Sequence, residues 1–171
     1  MNKPVCITFA APVGSSKSPI ANYLSWNLDI PVFNKDPIQT ELQENLLKVD
    51  VKDDFYNSIV KERTRAAFAK KRTFIYDASV DRVWGDIKEL AMQNGYECFV
   101  ISITLTKERL VKMYEVKGYL ESLKRIDQLI EDHKKFLEQY SSDVSLTIDD
   151  DNFMGRLELC LNEATAFLKK N

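Results

Sequence analysis

The amino-acid sequence predicts an α/β fold with a mostly parallel, five-stranded sheet and helices on both faces. Three observations carry this. Five apolar runs, at residues 4–10, 30–33, 73–77, 97–105 and 144–148, are continuous and rich in Val, Ile and Phe. Strands of that composition lack the polar alternation of a half-solvated sheet and suit one covered on both sides. Helical patterns separate the runs, and strand–helix alternation builds parallel sheets. A loop of small residues, Ala11-Pro-Val-Gly-Ser-Ser-Lys-Ser18, joins the first run to the first helix.

The first helix starts near Pro19 and aligns Ile20, Leu24 and Leu28 at i, i+4 and i+8, with Ala21 beside them. Pro19 suits a first helical turn, where its missing N–H loses no bond. A second helix is expected over 37–48, with Ile38, Leu42 and Leu46 on one face. The third begins near Asp54 and gathers Tyr56, Ile59, Val60, Arg63 and Ala67. It ends in Lys70-Lys71-Arg72, whose charge favours the negative end of a helix. The fourth follows Asp81, its candidate cap, turns Trp84, Ile87 and Leu90 inward and closes at Gly95. From 107 to 140 there is no strand signal, only helical pattern broken at Gly118. Within it Leu123, Ile126, Ile130, His133, Leu137 and Tyr140 form a narrow apolar stripe. Glu121–Arg125 and Glu131–Lys135 are expected i, i+4 pairs on the solvent side. The last helix, 153–169, follows the cap-like Asp149-Asp-Asp-Asn152 and carries Leu157, Leu161, Ala164 and Leu168.

With 171 residues the chain suits one domain with a substantial core, and no linker or repeat divides it. A formal charge of −2 exerts no general pull on nucleic acid or anionic membrane. Cys6, Cys98 and Cys160 lie in apolar runs without metal-ligand spacing, so reduced thiols and a cytoplasmic location are expected. The N-terminus does not read as a signal peptide, and no run approaches a membrane span.

Residues 11–18 approximate G-x-x-x-x-G-K-[ST], with Ala11 and Ser16 where the two glycines belong and Lys17-Ser18 in place. Such a loop binds phosphate because successive backbone N–H groups converge at a helix N-terminus, where the dipole favours negative charge. Val13, Gly14, Ser15, Ser16, Lys17 and Ser18 are therefore the candidate ATP-binding residues. Lys17 is expected to reach the β- and γ-phosphates and Ser18 to ligate Mg²⁺. Glycine serves this loop by permitting unusual φ and ψ, so a serine at position 16 meets strain if its φ is positive.

This loop, Asp36-Pro-Ile-Gln39 after the second strand and Phe74-Ile-Tyr-Asp77-Ala-Ser79 in the third together resemble the small P-loop kinases of the polynucleotide-kinase and zeta-toxin kind, a group often labelled AAA family ATPase. The resemblance implies a three-layer P-loop NTPase fold, ATP and Mg²⁺ as cofactors, and the 107–140 segment as a helical lid. It also implies that Asp36 takes the proton of an acceptor hydroxyl and that Asp77 lies near Mg²⁺. Gln39 stands where the group carries an arginine.

Each carboxylate has a second reading. Asp36-Pro-Ile-Gln39 also fits N-cap, N1, N2 and N3 of a helix, with Gln39 closing a capping box. Asp77 also fits an Asx-turn leading to Asp81. Phosphoryl transfer needs positive charge on the γ-phosphate, for which Arg109, Lys112, Lys117 and Arg125 are candidates; Arg125 joins Lys17 and Asp36 as a candidate catalytic residue. Arg82 is a further candidate on the substrate side. No consecutive acidic pair follows the third strand, which argues against a motor ATPase, and His133 reads as a packing residue. The expected activity is ATP- and Mg²⁺-dependent transfer of a phosphoryl group to a hydroxyl of a small metabolite, nucleoside or sugar. A polynucleotide 5′-hydroxyl kinase, a zeta-toxin-like sugar-nucleotide kinase and a nucleotide-binding module with little turnover are the alternatives.

Overall fold

The computed structural model describes residues 3–40 and 54–170. The chain runs β1 (Val5–Ala10), α1 (Lys17–Leu28), β2 (Val32–Asn34), α2 (Asp36–Thr40), α3 (Asp54–Ala69), β3 (Phe74–Ser79), α4 (Trp84–Gln93) and β4 (Glu97–Ile103). It continues through α5 (Lys107–Lys117), α6 (Leu120–Lys124), α7 (Ile126–Tyr140), β5 (Val144–Ile148) and α8 (Arg156–Lys170), with 3₁₀ turns at Ser141–Asp143 and Phe153–Gly155. The five strands are parallel in the order β2-β3-β1-β4-β5. The expected second helix is α2 as far as Thr40; Leu42 and Leu46 lie outside the described residues.

Alternation along β1 explains the layers. Val5, Ile7 and Phe9 face one core with Ile20, Ala21 and Leu24 of α1, Leu110 and Tyr114 of α5, and Cys160 and Ala164 of α8. Cys6 and Ala10 face the other, with Phe68 of α3 and Trp84, Ile87 and Ala91 of α4. All six residues of β1 are buried, as a strand covered on both sides requires. This is a three-layer α/β architecture with β1 central. The carboxyl ends of β1 and β3 lie side by side, where open parallel sheets hold their ligands.

Four local expectations are corrected. On α7 the buried face is Ile126, Leu129, His133 and Phe136, whereas Ile130 and Leu137 are only half-buried. Phe136 draws the seam round by packing edge-on against Trp84, ring centroids 6.4 Å apart. On α3 the inward positions are Tyr56, Thr64 and Phe68, and Arg63 is exposed. Thr64 tolerates burial because its hydroxyl donates to the Val60 carbonyl at 2.8 Å. Asp81 does not cap α4, whose N-cap position is Val83; it bonds His133 instead. Glu121 pairs with Lys124 at 2.6 Å rather than with Arg125, because Arg125 marks the break between α6 and α7. The Glu131–Lys135 pair forms, at 3.8 Å. Gly95 and Gly118 end α4 and α5 at φ 76° and 69°, the left-handed conformation expected after a helix. Among the described residues no helix is long and apolar enough to cross a membrane.

Candidate functional site

A cavity of about 800 Å³ opens at the carboxyl edge of the sheet. The loop from β1 to α1 forms one wall, with Gly14, Ser16, Lys17 and Ser18. Asp36 and Asp77 form another. Lys117, Tyr119, Leu129 and Asp132 reach it from the 107–140 segment. Lys17, Ser18, Asp36 and Asp77 are thus brought to one place. Arg125 is exposed and is not among the lining residues.

The two departures of the loop from the glycine pattern, Ala11 and Ser16, are not equivalent, and Gly14 between them has its own constraint. Ala11 is fully buried in the core and has no positive φ, so its Cβ is accommodated. Gly14, at φ 75°, is needed: a Cβ there would meet Tyr114 Cε1 at 2.8 Å. Ser16 adopts φ 83°, ψ 26°, which costs a residue with a Cβ about 1 kcal/mol or more. Arg156 Nε donates to Ser16 Oγ at 3.0 Å, a charge-assisted bond that offsets this strain.

Three successive loop carbonyls are held by side chains. Pro12 O accepts from Ser15 Oγ (2.7 Å) and Lys17 Nζ (3.0 Å), Val13 O from the Tyr114 hydroxyl, and Gly14 O from Lys117 Nζ (2.7 Å). Because a peptide is planar and trans, the N–H that follows each carbonyl points the opposite way. Tyr114 and Lys117 of α5 therefore orient the loop, and Tyr119 packs beside Gly14.

Electrostatics at the site are asymmetric. Burial lowers the Lys17 pKa to about 8, although Asp77, Asp81 and Asp36 pull it back towards the charged form. Burial raises the Asp77 carboxyl, and the Ser18 hydroxyl and Lys17 ammonium oppose that rise. Asn34 Nδ2 donates to Asp77 Oδ2 at 3.2 Å, joining β2 to β3 at the cavity floor. Asn34 Oδ1 also accepts the Asp36 N–H at 2.8 Å, so the turn into α2 is fixed by Asn34. Asp36 itself is exposed.

The other candidate cations differ in position. Arg109 bonds the Asp150 carbonyl at 2.8 Å and lies 5.0 Å from the Phe153 ring centre. With Lys112 it lines a second cavity of about 580 Å³, which shares Lys117 with the first. Arg82 lies 3.6 Å from Asp132 at the cavity rim. The Asp81 carboxylate also reaches the cavity, held at 3.1 Å by His133 Nδ1; His133 Nε2 is 3.0 Å from Thr104 Oγ1 and 3.3 Å from Ser102 Oγ.

Sequence reasoning missed Asn34, Tyr114, Tyr119, Asp132 and Arg156. Asn34 was findable, since an Asn two residues before a helix start is a turn signal. Arg156, 140 positions from Ser16, had no local signal.

Neither a protein-family model nor a curated protein matches the sequence. Solved structures do. A putative kinase from Chloroflexus aurantiacus is 14% identical with TM-score 0.65, over 99% of this chain and 98% of that one. Shikimate kinase from Aquifex aeolicus is 16% identical with TM-score 0.59, over 97% of both chains. A structure from the PezAT chromosomal toxin–antitoxin system of Streptococcus pneumoniae is 18% identical with TM-score 0.57, over 82% of this chain, which spans 64% of that one's length. At these identities the likeness is one of fold, and that fold is the three-layer, P-loop kinase-like one.

Proposed function

We propose that the chain is an ATP- and Mg²⁺-dependent phosphotransferase that phosphorylates a hydroxyl of a small metabolite, nucleoside or sugar. The observation that carries this is the convergence of Lys17, Ser18, Asp36 and Asp77 on one cavity, beside a loop whose carbonyls are tied back. The kinases among the structural neighbours support the reaction class.

The donors fit Mg²⁺. The Ser18 hydroxyl and Asp77 carboxylate are hard oxygen ligands, and a carboxyl whose pKa burial has raised gains from a nearby cation. Among the described residues no group of three or more His, Cys, Asp or Glu could hold a metal. Ser18 and Asp77 would hold an ion here only together with phosphate and water, as is common for Mg²⁺. When bound, Mg²⁺ neutralises charge on the β- and γ-phosphate oxygens.

The chain's own groups divide the remaining work. The amides of residues 13–18 and the Lys17 ammonium bind the phosphates. Asp36, an exposed residue lining the cavity, orients the acceptor hydroxyl and accepts its proton late in a loose transition state. Lys117 brings positive charge from the 107–140 segment, which acts as the lid; Arg125 joins only if that segment moves. Closure excludes water and favours transfer over hydrolysis.

The test is transfer from radiolabelled ATP to a panel of sugars, nucleosides, sugar nucleotides and a 5′-hydroxyl oligonucleotide. Lys17→Ala is expected to abolish transfer, and Asp36→Asn to slow it about 100-fold or more. An Asp36→Asn enzyme with the wild-type rate overturns the role of Asp36. Mg-ATP binding with no turnover on any acceptor favours a binding module.

A further inference from the structure

The hydrogen bond from Arg156 to Ser16 joins the candidate phosphate loop to the first residue of α8. Its setting is unusual for a structural contact. A cation in the first turn of a helix faces the positive end of the helix dipole, where an anion is the favoured neighbour. The guanidinium stacks on Phe153 at 4.1 Å from the ring centre, and its Nη1 donates to the Phe153 carbonyl at 2.9 Å. These contacts and the Ser16 bond fix the plane of the fork while engaging two of its five N–H donors.

Other cations lie close by. Lys117 Nζ sits on the Gly14 carbonyl, two residues along the loop from Ser16, and Arg109 stacks on the same Phe153 ring. Burial lowers the Lys117 pKa and the charge of Arg156 lowers it further; burial likewise lowers that of Arg156, with Arg109 adding to the effect. Asp150 pairs with Arg109, at 3.2 Å. A cluster of like charge beside a loop suited to phosphate is unfavourable in the empty protein and becomes favourable when a polyanion enters.

We propose that Arg156 is a phosphate-binding residue of the nucleotide site, and that Ser16 replaces glycine in order to hold it there. This rests on the reading of residues 11–18 as a phosphate loop. Serine at position 16 is then a gain of an anchoring oxygen, and the left-handed strain at that residue is retained for the sake of the contact. The ligand class is a nucleoside triphosphate, recognised through its phosphates.

The test is calorimetric binding of Mg-ATP and of inorganic triphosphate to the wild-type protein and to Ser16→Ala, Arg156→Lys and Arg156→Gln. Arg156→Gln is expected to weaken both probes about 10- to 100-fold, the value of a charge-assisted bond. Ser16→Ala and Arg156→Lys, which disturb the anchor but keep the charge, are expected to fall between Arg156→Gln and wild type. Wild-type affinity in Arg156→Gln overturns the proposal. A loss in Ser16→Ala as large as in Arg156→Gln also overturns it, because Arg156 would then act only by shaping the loop. If Arg156→Gln fails to fold, Arg156→Lys against Ser16→Ala decides, with an affinity weaker than wild type in both supporting the contact and wild-type affinity in either refuting it. Failure of the wild-type protein to bind either probe overturns the phosphate-loop reading itself, an outcome distinct from the others.

Discussion

Lys17 is the residue whose environment makes the sharpest demand on solution behaviour. Its pKa of about 8, against an ordinary 10.5, comes first from burial. A polyphosphate beside it restores the charged form. Binding of Mg-ATP at about pH 9 should therefore take up a proton, and well below pH 8 Lys17 contributes almost none, because it is already charged. Binding enthalpies measured in buffers of different ionisation enthalpy check this; no dependence on buffer at about pH 9 would refute it. The stability sign follows from the same shift. The unfolded chain holds the proton more tightly, so the cost of the buried ammonium is full below pH 8 and is relieved as pH rises towards 10.5. Lys17→Met should remove that rise. The sequence made Lys17 visible through its place in a motif, but not its depressed pKa, which comes from burial in the folded chain and is only partly opposed by Asp77, Asp81 and Asp36. The same holds for position 16: the motif identified it as the one to watch, and only the backbone revealed φ 83° there and not at Ala11.

At the scale of elements, periodicity was informative about helices and strands and less so about their faces. The stripe read along 123–140 counted Ile130 and Leu137 as inward because they are aliphatic. In α7, Leu129 and Phe136 take those places, and His133 remains on the seam. A polar group can hold the centre of that face because both ring nitrogens have partners, Asp81 on one side and Ser102 and Thr104 on the other. Asp81 looked like a helix cap in sequence because a partner 52 positions away leaves no local trace. The network predicts an asymmetry in stability. His133→Leu fills the volume but leaves the Asp81 carboxylate, with 6% of its side chain exposed, without its partner. The expected loss is about 3 kcal/mol in urea unfolding. Asp81→Asn keeps a hydrogen bond to the ring and should lose about 1 kcal/mol. Equal losses would show that His133 matters only for packing.

For the whole molecule, the strand order and the sharing of β1 between two cores decide how binding is felt. The loop of residues 11–18 leaves the most buried strand and enters α1, whose Ile20, Ala21 and Leu24 sit in the same core as Leu110 and Tyr114 of α5. Tyr114 in turn holds the loop through the Val13 carbonyl. A ligand that fixes this loop therefore stabilises contacts in β1, α1 and α5 together, and the fold should respond as a unit. Mg-ATP at about 100 times its Kd is expected to stabilise the native state by about 2.7 kcal/mol. For a chain of this length that corresponds to a Tm rise of roughly 5–10 °C. Lys17→Ala should melt no lower than wild type without ligand, since it removes a buried charge, and should lose most of the rise with it. Thermal scans of both proteins, with and without Mg-ATP, measure this. An equal rise in Lys17→Ala and wild type would place the nucleotide elsewhere on the molecule, and a fall in the unliganded variant would assign Lys17 to the fold through its bond to Pro12.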